Sequence, residues 1–340
     1  MSSCKFVFMS EYLSNKFRWL SLIATWAVVC IHSRTDRWSV GADDYASRIE
    51  MHVADLFHFA VPLFFVISGY MFVLSYMKYG WGNLIKNKVK SLYLPMVTWG
   101  IIGLILCLPI RVYSHHDIPT LLDVCKLPLM VFRSEAVHFW YVRALLILFL
   151  VAPLAMFVAN RIWLCVLVVV GVLFIPAGSV GDNLHIPVTV IFFLLGAAAA
   201  VNGCGTKVSR RSGMIAASSC LVGFVFSLAL KAYMTQYYFS ILFAPLFMIG
   251  LLWFGYDVMY EKLHIRKFPE GLTVLFFVYC MHLITLCWCG GIMRVVLGNR
   301  PEVRLCGYFA LWSTFWVDVI IANLVRRFFP RIFAVLSGGR

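Results

Sequence analysis

The chain has 340 residues, of which 62% are hydrophobic and 13% are charged, and its formal net charge is +14. A soluble domain is typically about 45–50% apolar and about 25% charged, so this composition excludes an ordinary soluble globular protein. Apolar runs of about 20 residues recur along the whole length, which predicts a polytopic membrane protein. The positive charge alone would suit nucleic acid, but the distribution of the cations explains it without such a partner.

The apolar runs predict an all-α bundle of about ten transmembrane helices, which forms a single membrane-embedded domain over residues 1–340 with its core at about 16–327. A basic stretch precedes the first run, as in a secretory signal, but no small-x-small cleavage pattern follows, so this run is predicted to be an uncleaved helix. The predicted helices are 17–33, 53–77, 92–112, 138–158, 162–176, 185–202, 213–230, 237–256, 270–290 and 306–326.

The charges predict the orientation of these helices. If the N-terminus is cytoplasmic, the inner segments carry 18 cations and four acids, whereas the outer segments carry ten of each. The whole net charge then lies on one face, which is the positive-inside pattern. Both termini are therefore predicted to be cytoplasmic, in a multi-pass protein for which no nucleic-acid partner is expected.

The cysteines give no indication of a metal site. Most of the eleven lie inside apolar runs, and there is no CxxC pair and no zinc-type spacing. Cysteines in such positions usually act as small buried hydrophobic residues. No metal and no tightly bound cofactor is expected.

His32 is the first candidate for chemistry. It ends the uncharged run Trp19 to Ile31, within VVCIHSRTD, and an ionisable group at the end of a membrane segment is costly unless it has a function. A histidine can take the proton of a hydroxyl nucleophile, and Asp36, four residues later, could orient its ring. The alternative is an interfacial histidine that is capped by loop residues.

Two further segments carry polar groups into predicted helices. In HFWYVRALL, Trp140 and Tyr141 fit an interfacial aromatic belt, and Arg143 lies about a turn and a half inside the helix. Arg143 either extends outward to the interface or faces a cavity, where it could bind an anionic or carbonyl group. In FVYCMHLITL, His282 is either functional or a packing residue. Asp318 is the one acid deep in a predicted helix, and its role stays open.

The segment around predicted helix 2 contains two more candidates. In HFAVPLFFVISGYMF, Pro62 would kink the helix and Ser68-Gly69 would let helices approach closely, so Ser68 either lines a cavity or only packs. The cationic segment KNKVKSLYLP contains Lys86, Lys88 and Lys90, which could hold phosphates or, alternatively, determine topology by attraction to anionic lipid.

One outer segment has the order of a hydrolase triad. GSVGDNLH contains Ser179, Asp182 and His185, but it has neither a GxSxG elbow nor a strand–turn–helix context. A triad is defined by geometry rather than by order, so this segment is not predicted to be catalytic.

Together, VVCIH, VPLFFVISGYMF, the basic stretch that leads into LYLP, HFWYVRALL, IFFLLGAAAA and VYCMHL resemble the acyltransferase-3 family of integral membrane acyltransferases. This family includes O-acetyltransferases of bacterial surface polysaccharides. The resemblance implies a ten-helix domain, a cytoplasmic acyl-CoA co-substrate that is usually acetyl-CoA, and an acceptor hydroxyl on a glycan or lipid-linked saccharide outside the membrane. It also implies a location in the bacterial inner membrane.

The resemblance implies roles for particular residues. His32 corresponds to the catalytic histidine that closes helix 1, and Lys86, Lys88 and Lys90 correspond to the basic donor-binding stretch. Many members carry an arginine eleven residues before the histidine, where this chain has Ser21, and Arg18 could substitute for it. The arginines that are common after helix 2 are lysines here, which cannot grip a phosphate in a bidentate fork.

The predicted enzyme therefore places His32, Asp36, Arg143 and His282 at the reaction centre, with Lys86, Lys88, Lys90, Ser68, Trp140 and Tyr141 as binding residues. A second hypothesis is a secondary transporter or a flippase for a lipid-linked glycan, in which the same polar groups form a path. The absence of repeated halves and of paired broken helices argues against it. A scaffold without chemistry would leave the clustered polar residues unexplained.

Overall fold

The computed structural model describes residues 9–35, 44–115, 139–173, 186–205, 207–233, 242–263, 267–298 and 300–339. All regular elements in these ranges are helical, which confirms the all-α class. They are α1 (Glu11–His32), α2 (Tyr45–Asp55), α3 (Ala60–Lys88), α4 (Leu94–His115), α5 (Trp140–Leu150), α6 (Ala152–Ala159), α7 (Ile162–Leu173), α8 (Ile186–Val201), α9 (Arg210–Tyr233), α10 (Ala244–Lys262), α11 (Leu275–Leu297), α12 (Pro301–Leu311), α13 (Thr314–Phe328) and α14 (Pro330–Leu336). A π-helical turn, Val89–Tyr93, joins α3 to α4.

Several of these helical stretches can cross a bilayer. Within the described ranges, four are long and apolar enough, and α5 with α6 makes a fifth if the bent pair is one span. The four are Tyr45–Pro109, Arg210–Leu230, Leu275–Val296 and Pro301–Phe328. These spans support an integral membrane protein, and the number ten and the cytoplasmic termini stay predictions.

Predicted helix 2 differs from the structure at both of its ends. At its C-terminal end, α3 continues beyond residue 77 to Lys88. Residues 53–55 belong to the separate short helix α2, and a turn at 56–59 divides it from α3. The predicted kink at Pro62 is wrong, because Pro62 lies in the first turn of α3, where a missing N–H costs no helical hydrogen bond. The kink is at Gly80, whose φ of 70° lies in the left-handed region that glycine tolerates.

Predicted helix 4 is not continuous. It divides into α5 and α6, which meet at Val151 with a bend of 80°. Pro153 lies in the first turn of α6, where proline is favoured, so the sequence permits a new helix to start there. Predicted helix 10 is likewise divided into α12 and α13 at Trp312 and Ser313. The expectation of no broken helices, which argues against a transporter, is therefore wrong for these two predicted helices.

The chain forms two compact units. Unit 1 comprises Met1–Ala24, Phe59–Lys86 and Ile147–Glu270. In its interior α3 and α8 touch backbone to backbone: a Cβ on Gly69 would lie 2.0 Å from the Phe193 carbonyl oxygen, and one on Gly196 would lie 1.9 Å from that of Val66. This contact confirms that Ser68-Gly69 is a close-approach site between helices.

Unit 1 also contains a buried ion pair between α1 and α10. The Lys16 ammonium lies 2.6 Å from Asp257 Oδ1, and both side chains are almost fully buried. Tyr12 donates its hydroxyl hydrogen to the same oxygen, and the Trp253 ring lies 4.1 Å from the ammonium. The pair ties the start of α1 to the end of α10.

Unit 2 comprises Thr25–His58, Asn87–Leu146 and Gly271–Arg340. In this unit α11 packs against α4 and α13, and Phe277 of α11 contacts both Trp99 and Phe333. The C-terminal end packs on the π-helical turn so closely that a Cβ on Gly338 would lie 2.3 Å from the Ser91 carbonyl oxygen. These contacts hold the segment that carries Lys90 against α14.

Candidate active site

Two predicted catalytic residues come together in unit 2. His32 is the last residue of α1, and His282 lies in the second turn of α11. Their ring centres are 5.3 Å apart, although the residues are far apart in sequence. His282 is fully buried and His32 is partly exposed, so the ring of His32 is the one that a substrate can reach.

The local backbone determines the tautomer of His282. Its Nδ1 lies 2.6 Å from the carbonyl oxygen of Tyr279, and a carbonyl can only accept, so Nδ1 carries a hydrogen. In the neutral imidazole, Nε2 then carries the lone pair. Nε2 of a neutral His282 can therefore accept a hydrogen bond and cannot donate one to an oxyanion.

Aromatic rings extend this pair towards α5. The Tyr279 ring centre lies 5.9 Å from that of His282 and 6.0 Å from that of Tyr141. The predicted binding residue Tyr141 is thus in the neighbourhood of the two histidines. The sequence analysis did not single out Tyr279, although it lies in the quoted segment VYCMHL, because a tyrosine in an apolar helix has no spacing signal.

Arg143 is buried on α5, two residues after Tyr141. Its burial contradicts the alternative in which the guanidinium extends outward to water. Trp140, at the start of α5, is partly exposed. A buried guanidinium is a strong hydrogen-bond donor, whereas Nε2 of a neutral His282 can only accept.

The structure describes some of the remaining predicted residues and not others. Asp36 is outside the described residues, as are Ser179, Asp182 and His185 of the declined triad. Ser68 is partly exposed in α3 of unit 1. Among the donor-site lysines, Lys86 and Lys90 are exposed and Lys88 is partly exposed, so their charged groups can meet a ligand at the surface.

Asp318 contacts Thr285. The Thr285 hydroxyl donates to Asp318 Oδ1, and Asp318 is fully buried between α13 and α11. Thr285 lies three residues after His282, on the same side of α11. The contact explains how an acid is accommodated deep in a predicted span.

A polar cluster that the sequence analysis missed follows His32. Glu50 of α2 is fully buried, and its carboxylate accepts the Thr35 backbone N–H at 2.7 Å and the Thr35 hydroxyl at 2.5 Å. Asp44 caps the start of α2 and pairs with Arg304 of α12. The Ser47 backbone N–H, together with the Arg304 guanidinium, holds the pKa of Asp44 below its ordinary value.

The chain matches the model of a known protein family. Residues 15–325 match the family model of the acyltransferase-3 acyltransferase domain, which covers nearly the whole chain. The chain therefore belongs to the acyltransferase-3 family and is a membrane acyltransferase, with an acyl donor and an acceptor as its substrates. No curated protein and no solved structure matches it.

Proposed function

We propose that the chain transfers an acyl group, most simply acetyl, from cytoplasmic acyl-CoA to a hydroxyl of a glycan or lipid-linked saccharide outside the bacterial inner membrane. The adjacent rings of His32 and His282 support this proposal most directly. A reachable imidazole beside a buried one that accepts hydrogen bonds is suited to deprotonating a hydroxyl.

In the proposed reaction His32 is the general base. A ring nitrogen of His32 takes the proton of the acceptor hydroxyl while the hydroxyl oxygen attacks the thioester carbonyl carbon. The tetrahedral intermediate collapses, the carbon–sulfur bond breaks, and the CoA thiolate takes the proton from His32. His282 packs beside the ring of His32 and holds its orientation, and Arg143 donates to the oxyanion.

An acyl-histidine intermediate is the alternative path. In that path a neutral His32 nitrogen attacks the thioester carbonyl, CoA leaves as the thiol, and the acceptor hydroxyl then attacks the acyl-imidazole. Incubation with acyl-CoA in the absence of acceptor distinguishes the two paths, because only the alternative accumulates an acylated enzyme that intact-mass spectrometry detects.

The donor is assigned to the basic segment at the predicted cytoplasmic face. Exposed Lys86 and Lys90 with partly exposed Lys88 provide point charges for the phosphates of CoA. Because lysine does not grip phosphate in a bidentate fork, each of the three contributes modestly to affinity. Attraction to anionic lipid is the competing explanation for the same charges.

The test is transfer of label from acyl-CoA by the purified full chain in detergent, with lipid-linked saccharide as acceptor. Loss of a general base lowers the rate roughly 10²- to 10⁴-fold, so His32→Ala is expected to lose nearly all activity. The matched control is His58→Ala, which removes an exposed histidine of the same unit. Full activity of His32→Ala would eliminate the proposed centre, and failure of the wild type to consume acyl-CoA would favour a transporter.

A further inference from the structure

The segment that directly follows His32 is held by two sets of hydrogen bonds. The Ser33 backbone N–H and hydroxyl both donate to the Val29 carbonyl, at 2.9 and 2.8 Å. Three residues beyond His32, the Thr35 N–H and hydroxyl both donate to Glu50. The backbone that follows His32 is therefore held to α1 through Ser33 and to α2 through Thr35.

The helix α2 is in turn anchored to α12. Arg304 contacts Asp44 at the cap of α2 and lies 3.4 Å from Ser47 Oγ in its first turn. Tyr45 also donates its hydroxyl hydrogen to Glu302, at 3.0 Å. Glu50 lies three residues after Ser47, so both face the same side of α2. The helix α2 thus connects α12 to the segment that follows His32.

We propose that Glu50 is a positioning residue for His32, which acts through its two hydrogen bonds to Thr35. This inference rests on the proposed function of His32. Helix ends fray because their last carbonyl groups lack helical partners, and the base is the final residue of α1. The two hydrogen bonds between Thr35 and Glu50 prevent this fraying and keep the imidazole of His32 beside His282.

The proposal assigns the effect of Glu50 to hydrogen bonding rather than to its charge. A glutamine at this position keeps both contacts, because its carbonyl oxygen accepts the Thr35 N–H and its amide group donates to the Thr35 hydroxyl oxygen. An alanine loses both contacts. A residue that instead moved a proton or held a charge in the reaction would lose its function in either variant.

The experiment measures kcat and KM for acyl-CoA in the purified full chain, with thermal stability in parallel. Glu50→Ala is expected to lower kcat roughly 10- to 100-fold with an unchanged KM, since a displacement of about 1 Å can cost that much. Glu50→Gln is expected to keep most of the activity. A second pair gives an independent test: Thr35→Val loses the hydroxyl and part of kcat, whereas Thr35→Ser retains both.

Each outcome supports or overturns the inference. Wild-type kcat in Glu50→Ala, a change confined to KM, or a Glu50→Gln variant as inactive as Glu50→Ala would overturn it. If Glu50→Ala does not fold, the Thr35 pair decides, and equal kcat in Thr35→Val and Thr35→Ser would overturn it. If His32→Ala is active, the proposed function itself is refuted. If His32→Ala is inactive while the Glu50 and Thr35 variants are all fully active, only the positioning role is refuted.

Discussion

The two histidines have different roles because their nitrogen atoms have different partners. His282 is buried and donates Nδ1–H to the Tyr279 carbonyl, so Nε2 of the neutral ring can only accept a hydrogen bond. The sequence placed His282 and Arg143 at one reaction centre without dividing their tasks. The tautomer separates these tasks, because only Arg143 of the two donates hydrogen bonds when His282 is neutral.

Asp44 provides a pH test of how α2 is held. Its pKa is lowered in the folded chain, so its stabilising effect is complete above the ordinary carboxyl value of about 3.9 and is lost as the pH falls through the lower folded value. Asp44→Asn keeps the helix cap but loses the ion pair with Arg304.

We expect the melting temperature of the wild type to fall more steeply than that of Asp44→Asn as the pH drops below about 3.9, and the two curves to run parallel at higher pH. Glu11→Gln, at an exposed acid of α1, serves as the control and should follow the wild type. Equal slopes for wild type and Asp44→Asn would show that the pair does not stabilise the fold.

At the scale of the elements, hydrophobicity along the sequence predicted where the long helices lie. It did not predict helix breaks or contacts between residues of different elements. Long apolar runs predicted α9 and α11 closely, because a membrane helix must be apolar along its length. The break at Val151 was missed because VRALLILFLVAPLAMF is apolar on both sides of it. The contact of Thr35 with Glu50 was missed because no periodicity relates a loop residue to an acid on the next helix.

The ion pair between α1 and α10 could not be predicted from the sequence either. In the sequence, Lys16 and Asp257 only counted among the charges of the predicted inner segments. The structure shows Lys16 buried and paired while Arg18, the residue suggested to replace the family arginine, is exposed. Removing one partner of a buried pair leaves a charge without compensation, which costs roughly 3–5 kcal/mol.

Lys16→Met is therefore expected to lower thermal stability strongly, whereas Lys16→Met combined with Asp257→Leu restores most of it, because apolar replacement of both partners is often neutral. Lys207→Met removes an exposed cation and should have a small effect. The measurement is the fraction of protein that stays monodisperse after heating in detergent. If the double variant were stable but unable to use acyl-CoA, the result would indicate that Lys16 contacts the acyl donor in addition to holding α1 against α10.

At the scale of the whole molecule, the contacts agree with the face that the charges assign to each segment. Lys16 and Asp257 lie in segments that are both predicted to be inner, as do Ser91 and Gly338. Asp44 and Arg304 lie in segments that are both predicted to be outer. These contacts join segments that the charges assign to the same side, and which side is cytoplasmic stays a prediction.

The predicted orientation is tested by introducing one cysteine at a time into a chain in which serine replaces the exposed Cys204 and Cys306. Serine also replaces Cys4 and Cys125, which lie outside the described residues. A membrane-impermeant maleimide should label Arg48→Cys, on the exposed side of α2, in intact spheroplasts. It should label Lys207→Cys only after permeabilisation. Both positions are exposed, so accessibility to the reagent is matched and only the side of the membrane differs.

The outcome bears directly on the chemistry, because α2 holds the segment that follows His32. Outer labelling of Arg48→Cys places the base at the far leaflet from the acyl-CoA pool, as transfer to an external glycan requires. Labelling of Arg48→Cys only after permeabilisation would place His32 on the same side as the donor. The acceptor would then have to be a cytoplasmic hydroxyl, and the +14 charge would need an explanation other than the positive-inside rule.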